Sequence, residues 1–232
     1  MQLRMQSIRS ARWLALAALV AVELWPAQGV HPVTGRKYAQ PMGVAGAGWL
    51  ERNEREREEN PGAAIKALDL HPGMVVADVG AGTGYFSIRL ARLVGPQGKV
   101  YATDIQPEML ESLRANLRRE NITNVVPVLA TQDDPKLPEG EVDLILMVDV
   151  YHEFSKPQEM LRRMRTALKP DGELVLLEFR KEDPDVPIRA EHKMSVTEVR
   201  AELEAEGYHL EKLHSFLPRQ HIFVFGKEPE AK

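Results

Sequence analysis

Val75-Val76-Ala77-Asp78-Val79-Gly80-Ala81-Gly82-Thr83-Gly84-Tyr85-Phe86 is an apolar run that breaks into three glycines and then resumes in an amphipathic pattern. A short run of Val and Ala bounded this way reads as a strand buried on both faces. Glycines at its end allow a tight turn and let a bound molecule lie against the main chain. The stretch therefore predicts a strand, a turn and a helix, the opening unit of an α/β sheet with a ligand crevice at the strand's carboxyl end.

The sequence on either side repeats that alternation. Apolar runs at 74–79, 100–103, 125–130, 142–147 and 173–179 have the length and Val/Ile/Leu content of buried parallel strands. Between them lie helical patterns at 85–94, at 108–119 with Met109, Leu110, Leu113 and Leu117 on one face, and at 157–168 with Met160, Leu161, Met164 and Leu168. Strand, helix, strand at this spacing is the βαβ pattern of a doubly wound parallel sheet. Near the end the alternation stops. Ser195-Val196-Thr197-Glu198 reads as a capping box opening a helix to about residue 206, and 208–216 and 221–226 read as two strands of a hairpin. Upstream, Asn60-Pro61 reads as N-cap and N1 of a helix over 62–68, and the mixed charges of 51–59 read as a solvated helix face.

Composition bounds the function. The 232 residues, 44% hydrophobic and 28% charged, suit one medium domain. A formal charge of −4 lacks the basic excess that a phosphate-tracking surface needs, which argues against a nucleic-acid partner. With no cysteine there is no thiolate metal site, iron–sulfur cluster, cysteine nucleophile or disulfide. Residues 1–30 differ from the rest. Arg4, Arg9 and Arg12 precede an apolar run at 13–22 and the small-residue pattern Ala27-Gln28-Gly29, the signature of an export signal or membrane anchor. As a helix that run would span about 15 Å, half of a bilayer core. An apolar helix docked on the domain, or a start codon placed too early, are the alternatives. Membrane contact is expected through residues 1–30 only.

The third glycine decides between two cofactors. A dinucleotide fingerprint, GxGxxG, needs a small residue at 85, where this chain has Tyr85. GxGxG preceded two residues earlier by Asp78 resembles motif I of the class I S-adenosylmethionine-dependent methyltransferases. Asp104, 20 residues after Gly84 and at the end of the second strand, stands where a carboxylate accepts ribose hydroxyls. The resemblance implies further cofactor contacts by position: Gly80, Gly82, Gly84 and Tyr85 in the turn, Ile105 beside Asp104, Thr131 or Asp133 toward the adenine, and Asp149 at the end of the fourth strand. It also implies a single Rossmann-like, seven-stranded α/β domain over 61–228, with a C-terminal antiparallel hairpin and a helical cap within 31–60. The sequence Asp149-Val150-Tyr151-His152 is similar to the small-molecule branch that includes quinone-ring methyltransferases, and differs from the Asn-Pro-Pro-Tyr type of nucleobase enzymes.

The expected reaction is in-line methyl transfer to a small-molecule acceptor. His152 is the candidate base, since an imidazole titrates near neutral pH, with Tyr151 as a second catalytic candidate. Glu153 and His192, in the loop after the fifth strand, are candidates for acceptor contacts. No His/Asp/Glu spacing along the chain resembles a metal site. Two other functions fit the sequence less well: an exported, non-catalytic binding protein that keeps the fold, and a nicotinamide-dependent oxidoreductase, which Tyr85 disfavours. A methyl donor made in the cytosol and an export-like N-terminus pull the expected location in opposite directions.

Overall fold

The computed structural model describes residues 29–228. The expected export signal or anchor thus falls, but for its last two residues, outside the described part of the chain. After an extended strap come a 3-10 turn at Val44–Gly46, α1 at Ala47–Leu50, α2 at Arg55–Glu59 and α3 at Pro61–Lys66. Asn60 caps α3 as its sequence predicts, its side chain accepting from the Ala63 N–H at 3.2 Å. The alternating core follows: β1 Val75–Val79, α4 Tyr85–Val94, β2 Lys99–Asp104, α5 Pro107–Arg119, β3 Val125–Leu129, β4 Val142–Val148, α6 Pro157–Ala167 and β5 Leu168–Arg180. A two-residue β6 at Lys193–Met194, α7 at Val196–Glu204 and the antiparallel pair β7 Tyr208–His214 and β8 Gln220–Lys227 complete the chain.

The strands form one sheet in the order β3-β2-β1-β4-β5-β8-β7, with β6 on β5. The seven expected strands are that path, and β6 is an eighth. The first five run parallel, and β8 and β7 close the edge antiparallel. The chain moves outward from β1 to β3 and returns to β4 beside β1, so a crevice opens at the carboxyl ends of β1 and β4. β5 begins earlier than its apolar run suggests, because Leu168 already pairs with Val142 ahead of a register shift.

Both faces of the sheet are covered. Along β4, Leu144 and Leu146 point to the layer of α3, α4 and α5, while Ile145 and Met147 point to that of α6 and α7, as period-two geometry requires. Full burial of each such side chain is worth about 1.5–3 kcal/mol, which anchors the strand ends that carry the site.

The charged run at 51–59 is mostly exposed, as expected of a solvated helix face, with two exceptions. Arg55 and Glu59 are buried, joined at 2.7 Å across one turn of α2. Their mutual pairing compensates the burial of two charges, which an unpaired residue could not sustain.

Candidate active site

A cavity of about 910 Å³ opens at the crevice. Of the residues singled out by sequence, Gly80, Gly82, Asp104, Ile105, Thr131, Asp149, His152, Glu153 and His192 line it. Single-ligand pockets span about 300–1,000 Å³, so this one has room for a nucleoside-sized cofactor with a small acceptor.

One end of the cavity is shaped by the β1–α4 turn and the tip of β2. Gly80 has φ +75°, and a Cβ there would run into the Val150 side chain, so only glycine keeps the turn close to the site. Asp104 Oδ2 accepts from the Gly82 N–H and Oδ1 from the Gln106 N–H, both at 2.9 Å. Burial raises the Asp104 pKa against the lowering effect of these backbone donors. Each carboxylate oxygen keeps a second lone pair for a ligand hydroxyl.

The strap and α1 supply a further wall. Met42, Trp49 and Leu50 line the cavity, and the Met42 carbonyl accepts from Gln106 Nε2 at 2.9 Å.

At the tip of β4, Asp149 turns the chain with φ +51°. Its Oδ2 accepts from Gln220 Nε2 at 2.7 Å, while Oδ1 is buried with no hydrogen-bond partner among the described residues. Burial raises its pKa well above the usual carboxylate range, and Glu59 and Glu178 add to the rise. The buried Asp149 oxygen without a partner suits a cationic ligand group, Glu59 in the same wall being already paired with Arg55. That chemistry, together with the glycine turn and Asp104, fits S-adenosylmethionine.

The opposite end is a histidine cluster. His152 Nδ1 lies 2.6 Å from Glu178 Oε2, and His152 Nε2 lies 3.0 Å from His192 Nδ1. Burial works to lower the His152 pKa, but the Glu178 carboxylate outweighs it and the value stands raised. His192 is lowered by burial and by His152, and burial pushes Glu153 up to about 7. Glu178 is itself oriented by the Tyr151 N–H at 3.1 Å. His152 is thus held at both ring nitrogens and differs from the free-standing base its sequence position suggests.

Five expected site residues lie outside the lining. Asp78 sits beneath the turn, accepting from Ser87 Oγ at 2.5 Å, and Gly84 packs on Leu113. The Tyr85 hydroxyl donates to Glu56 at 2.8 Å, with the Arg89 guanidinium over its ring. Asp133 is drawn outward by Lys156 at 2.8 Å, leaving Thr131 and Gln132 to line the cavity near the end of β3. Tyr151 is fully buried beneath Arg36, on the far side of its turn from His152.

Sequence reasoning passed over Glu178, Arg55, Glu59 and Arg36. Glu178 was legible as the one acid within the apolar stretch 174–179, since a buried charge needs a partner. Arg36 carried no signal. It pairs with buried Glu202 through two bonds of 3.1 and 2.9 Å, and its Nη1 donates to the His152 carbonyl at 3.0 Å.

Comparisons with known proteins agree with this geometry. A family model described as a methyltransferase domain matches residues 70–215. A ubiquinone/menaquinone biosynthesis C-methyltransferase, UbiE, of Shewanella sediminis is 34% identical over 123 residues, 53% of this chain and 49% of that protein. The chain therefore spans about half the length of the curated relatives it matches. A SAM-dependent methyltransferase structure from Aquifex aeolicus superposes with a TM-score of 0.76 at 28% identity, covering 80% of this chain and 98% of the other. A type 11 methyltransferase from Sulfolobus solfataricus, at 19% identity and a TM-score of 0.63 over 75% of this chain and 96% of its own, shares the fold.

Proposed function

The chain belongs to the class I S-adenosylmethionine-dependent methyltransferase family, and on that footing we propose that it methylates a small-molecule acceptor held at the His152, Glu153 and His192 end of its cavity. The observation that carries this reading is one cavity with two chemically different ends: a glycine turn with Asp104 at one, and the polar cluster at the other.

Gly80 and Gly82 would hold the cofactor against the main chain, Asp104 its ribose, Thr131 and Gln132 its adenine side and Asp149 its cationic tail. When bound, S-adenosylmethionine supplies a methyl group on a sulfonium, open to displacement by an in-line nucleophile. The protein's own task is alignment and exclusion of water, which Met42, Trp49 and Leu50 serve by lining the cavity. The cluster around His152 receives the acceptor's polar end, and Phe154, Phe179 and Ile188 offer its carbon skeleton an apolar wall. A ring-bearing acceptor fits this combination, in keeping with the quinone-directed names of the Shewanella relatives.

Calorimetry with S-adenosylmethionine and its demethylated product should show stoichiometric binding. Transfer of labelled methyl across a panel of phenols, quinols and small amines should then find an acceptor. Absence of cofactor binding would overturn the reading, and labelling of RNA or protein in preference to every small molecule would overturn the acceptor class.

A further inference from the structure

The turn after β4, Tyr151–Glu153, and the turn before β6, Ala190–His192, come from parts of the chain some forty residues apart. They meet because β4 leaves the sheet at Val148, and β6 takes up the edge of β5 beyond it through Phe179 and Arg180. This brings His152, Glu153 and His192 together with one ligand atom from each within 4.8 Å of the others. The pairs stand at 3.0 Å for the two histidines, 3.9 Å for His152 Nε2 to Glu153 Oε1 and 3.8 Å for His192 Nδ1 to the same oxygen.

Two donors on one first-row cation, each bonded at about 2.0–2.1 Å, lie roughly 3.0–3.4 Å apart. The histidine pair already has that separation, and the Glu153 carboxylate needs to move in by about half an ångström to join it. The other ring nitrogen of His152 is occupied by the fully buried Glu178 carboxylate at 2.6 Å. A ligating histidine is characteristically held in this way, since a carboxylate on Nδ1–H turns the Nε2 lone pair outward, where the cation would replace the proton now shared with His192 Nδ1 and release it to bulk water. All three donors line the cavity, so a cation held by them keeps open positions toward it, as catalytic sites do and closed structural sites do not. Two imidazoles and a carboxylate, without a thiolate, suit Zn²⁺ and its first-row neighbours over Mg²⁺ or Ca²⁺.

We propose that His152, Glu153 and His192 form a binding site for a divalent first-row cation, Zn²⁺ in the simplest case, that takes an oxygen of the acceptor as a further ligand. The acceptor role rests on the methyltransferase reading above; the cation site does not. A hydroxyl so held loses its proton to bulk water more readily, because the cation stabilises the oxyanion. The oxyanion is the stronger nucleophile, or passes its electron pair into an attached ring for carbon attack.

The test uses the full chain, freed of any purification tag and stripped by chelator. Titration with Zn²⁺ by calorimetry, and with Co²⁺ by its visible absorption, should give one tight site per chain. His192→Ala, in a part-exposed turn, and Glu153→Gln should each weaken it at least tenfold while thermal melting of the chelated protein stays near wild type. Failure to bind either ion, or binding unchanged in both variants, overturns the proposal and leaves the cluster as a hydrogen-bonded histidine pair. S-adenosylmethionine binding is measured on the same samples. Its absence beside an intact cation site would count against the methyltransferase reading alone.

Discussion

Glu178 and His152 face each other across adjacent strand ends at 2.6 Å, both buried, with the Tyr151 N–H fixing the second carboxylate oxygen at 3.1 Å. The pair makes a fully buried strand acid the support of the polar end of the cavity. Glu178 does not itself line that cavity.

Glu178→Gln is therefore expected to lower turnover about 10–100-fold, the usual effect of removing a carboxylate that orients a working histidine. Affinity for S-adenosylmethionine should fall far less, since Glu178 does not line the cavity and acts on the cofactor side only through its charge near Asp149. Steady-state kinetics alongside cofactor titration separates the two, and a parallel loss of both would point to general disruption.

Asp104→Ala removes the proposed ribose acceptor and should weaken S-adenosylmethionine about tenfold or more, the equivalent of one hydrogen bond to a charged group. It also strips partners from the Gly82 and Gln106 N–H groups, at roughly 1–3 kcal/mol for each one left unsatisfied. Asp104→Asn keeps one acceptor oxygen for the two N–H donors and sets its NH2 against the other, so it should restore only part of the stability and less of the binding. Calorimetry with a denaturation curve for each variant checks both expectations.

Arg36→Ala leaves the buried Glu202 carboxylate without its guanidinium partner, although Thr34 and His31 remain beside it. Breaking a buried pair from one side costs about 3–5 kcal/mol. The same guanidinium ties down the His152 carbonyl, so activity should fall even at temperatures where the variant stays folded. Urea unfolding measures the first effect and assays well below the melting point the second.

Asp78 confers a pH dependence of stability with a definite sign. Burial raises its pKa to about 6, against the opposing hydrogen bond from Ser87. In the unfolded chain the value is about 3.9, so between about pH 4 and 6 the folded state binds more protons than the unfolded. The contribution of Asp78 to stability therefore declines as pH rises through that window, by roughly 3 kcal/mol in total, and levels off above it. Asp78→Asn, which can still accept from Ser87, should gain stability relative to wild type as pH rises from 4 to 7. Melting curves across that range report the difference, and a constant offset between the two proteins would count against it.

The parallel strands, their helices and the hairpin were readable because burial on two faces leaves a periodic trace in the residues themselves. The same holds for the glycine turn and Asp104, whose positions are set by local spacing along one βαβ unit. Asp78 was correctly placed next to the turn, but its burial beneath it depends on where Ser87 points. Arg55 and Glu59 show the opposite limit. A paired charge has the same sequence pattern whether it faces water or the core, and only packing against Tyr85 and the cavity distinguishes them.

The sequence alone thus determined the fold class, the cofactor family and the strand ends that border the site, because each is written in neighbouring residues. Tertiary structure alone decided which of those residues share a wall. Tyr151 and His152 are adjacent, yet one is buried beneath Arg36 while the other reaches His192 forty residues onward. The partnership of His152, Glu153 and His192 arises where β6 takes the edge of β5 that β4 vacates. Such long-range pairing depends on how the sheet edges are shared, and no spacing along the chain records it.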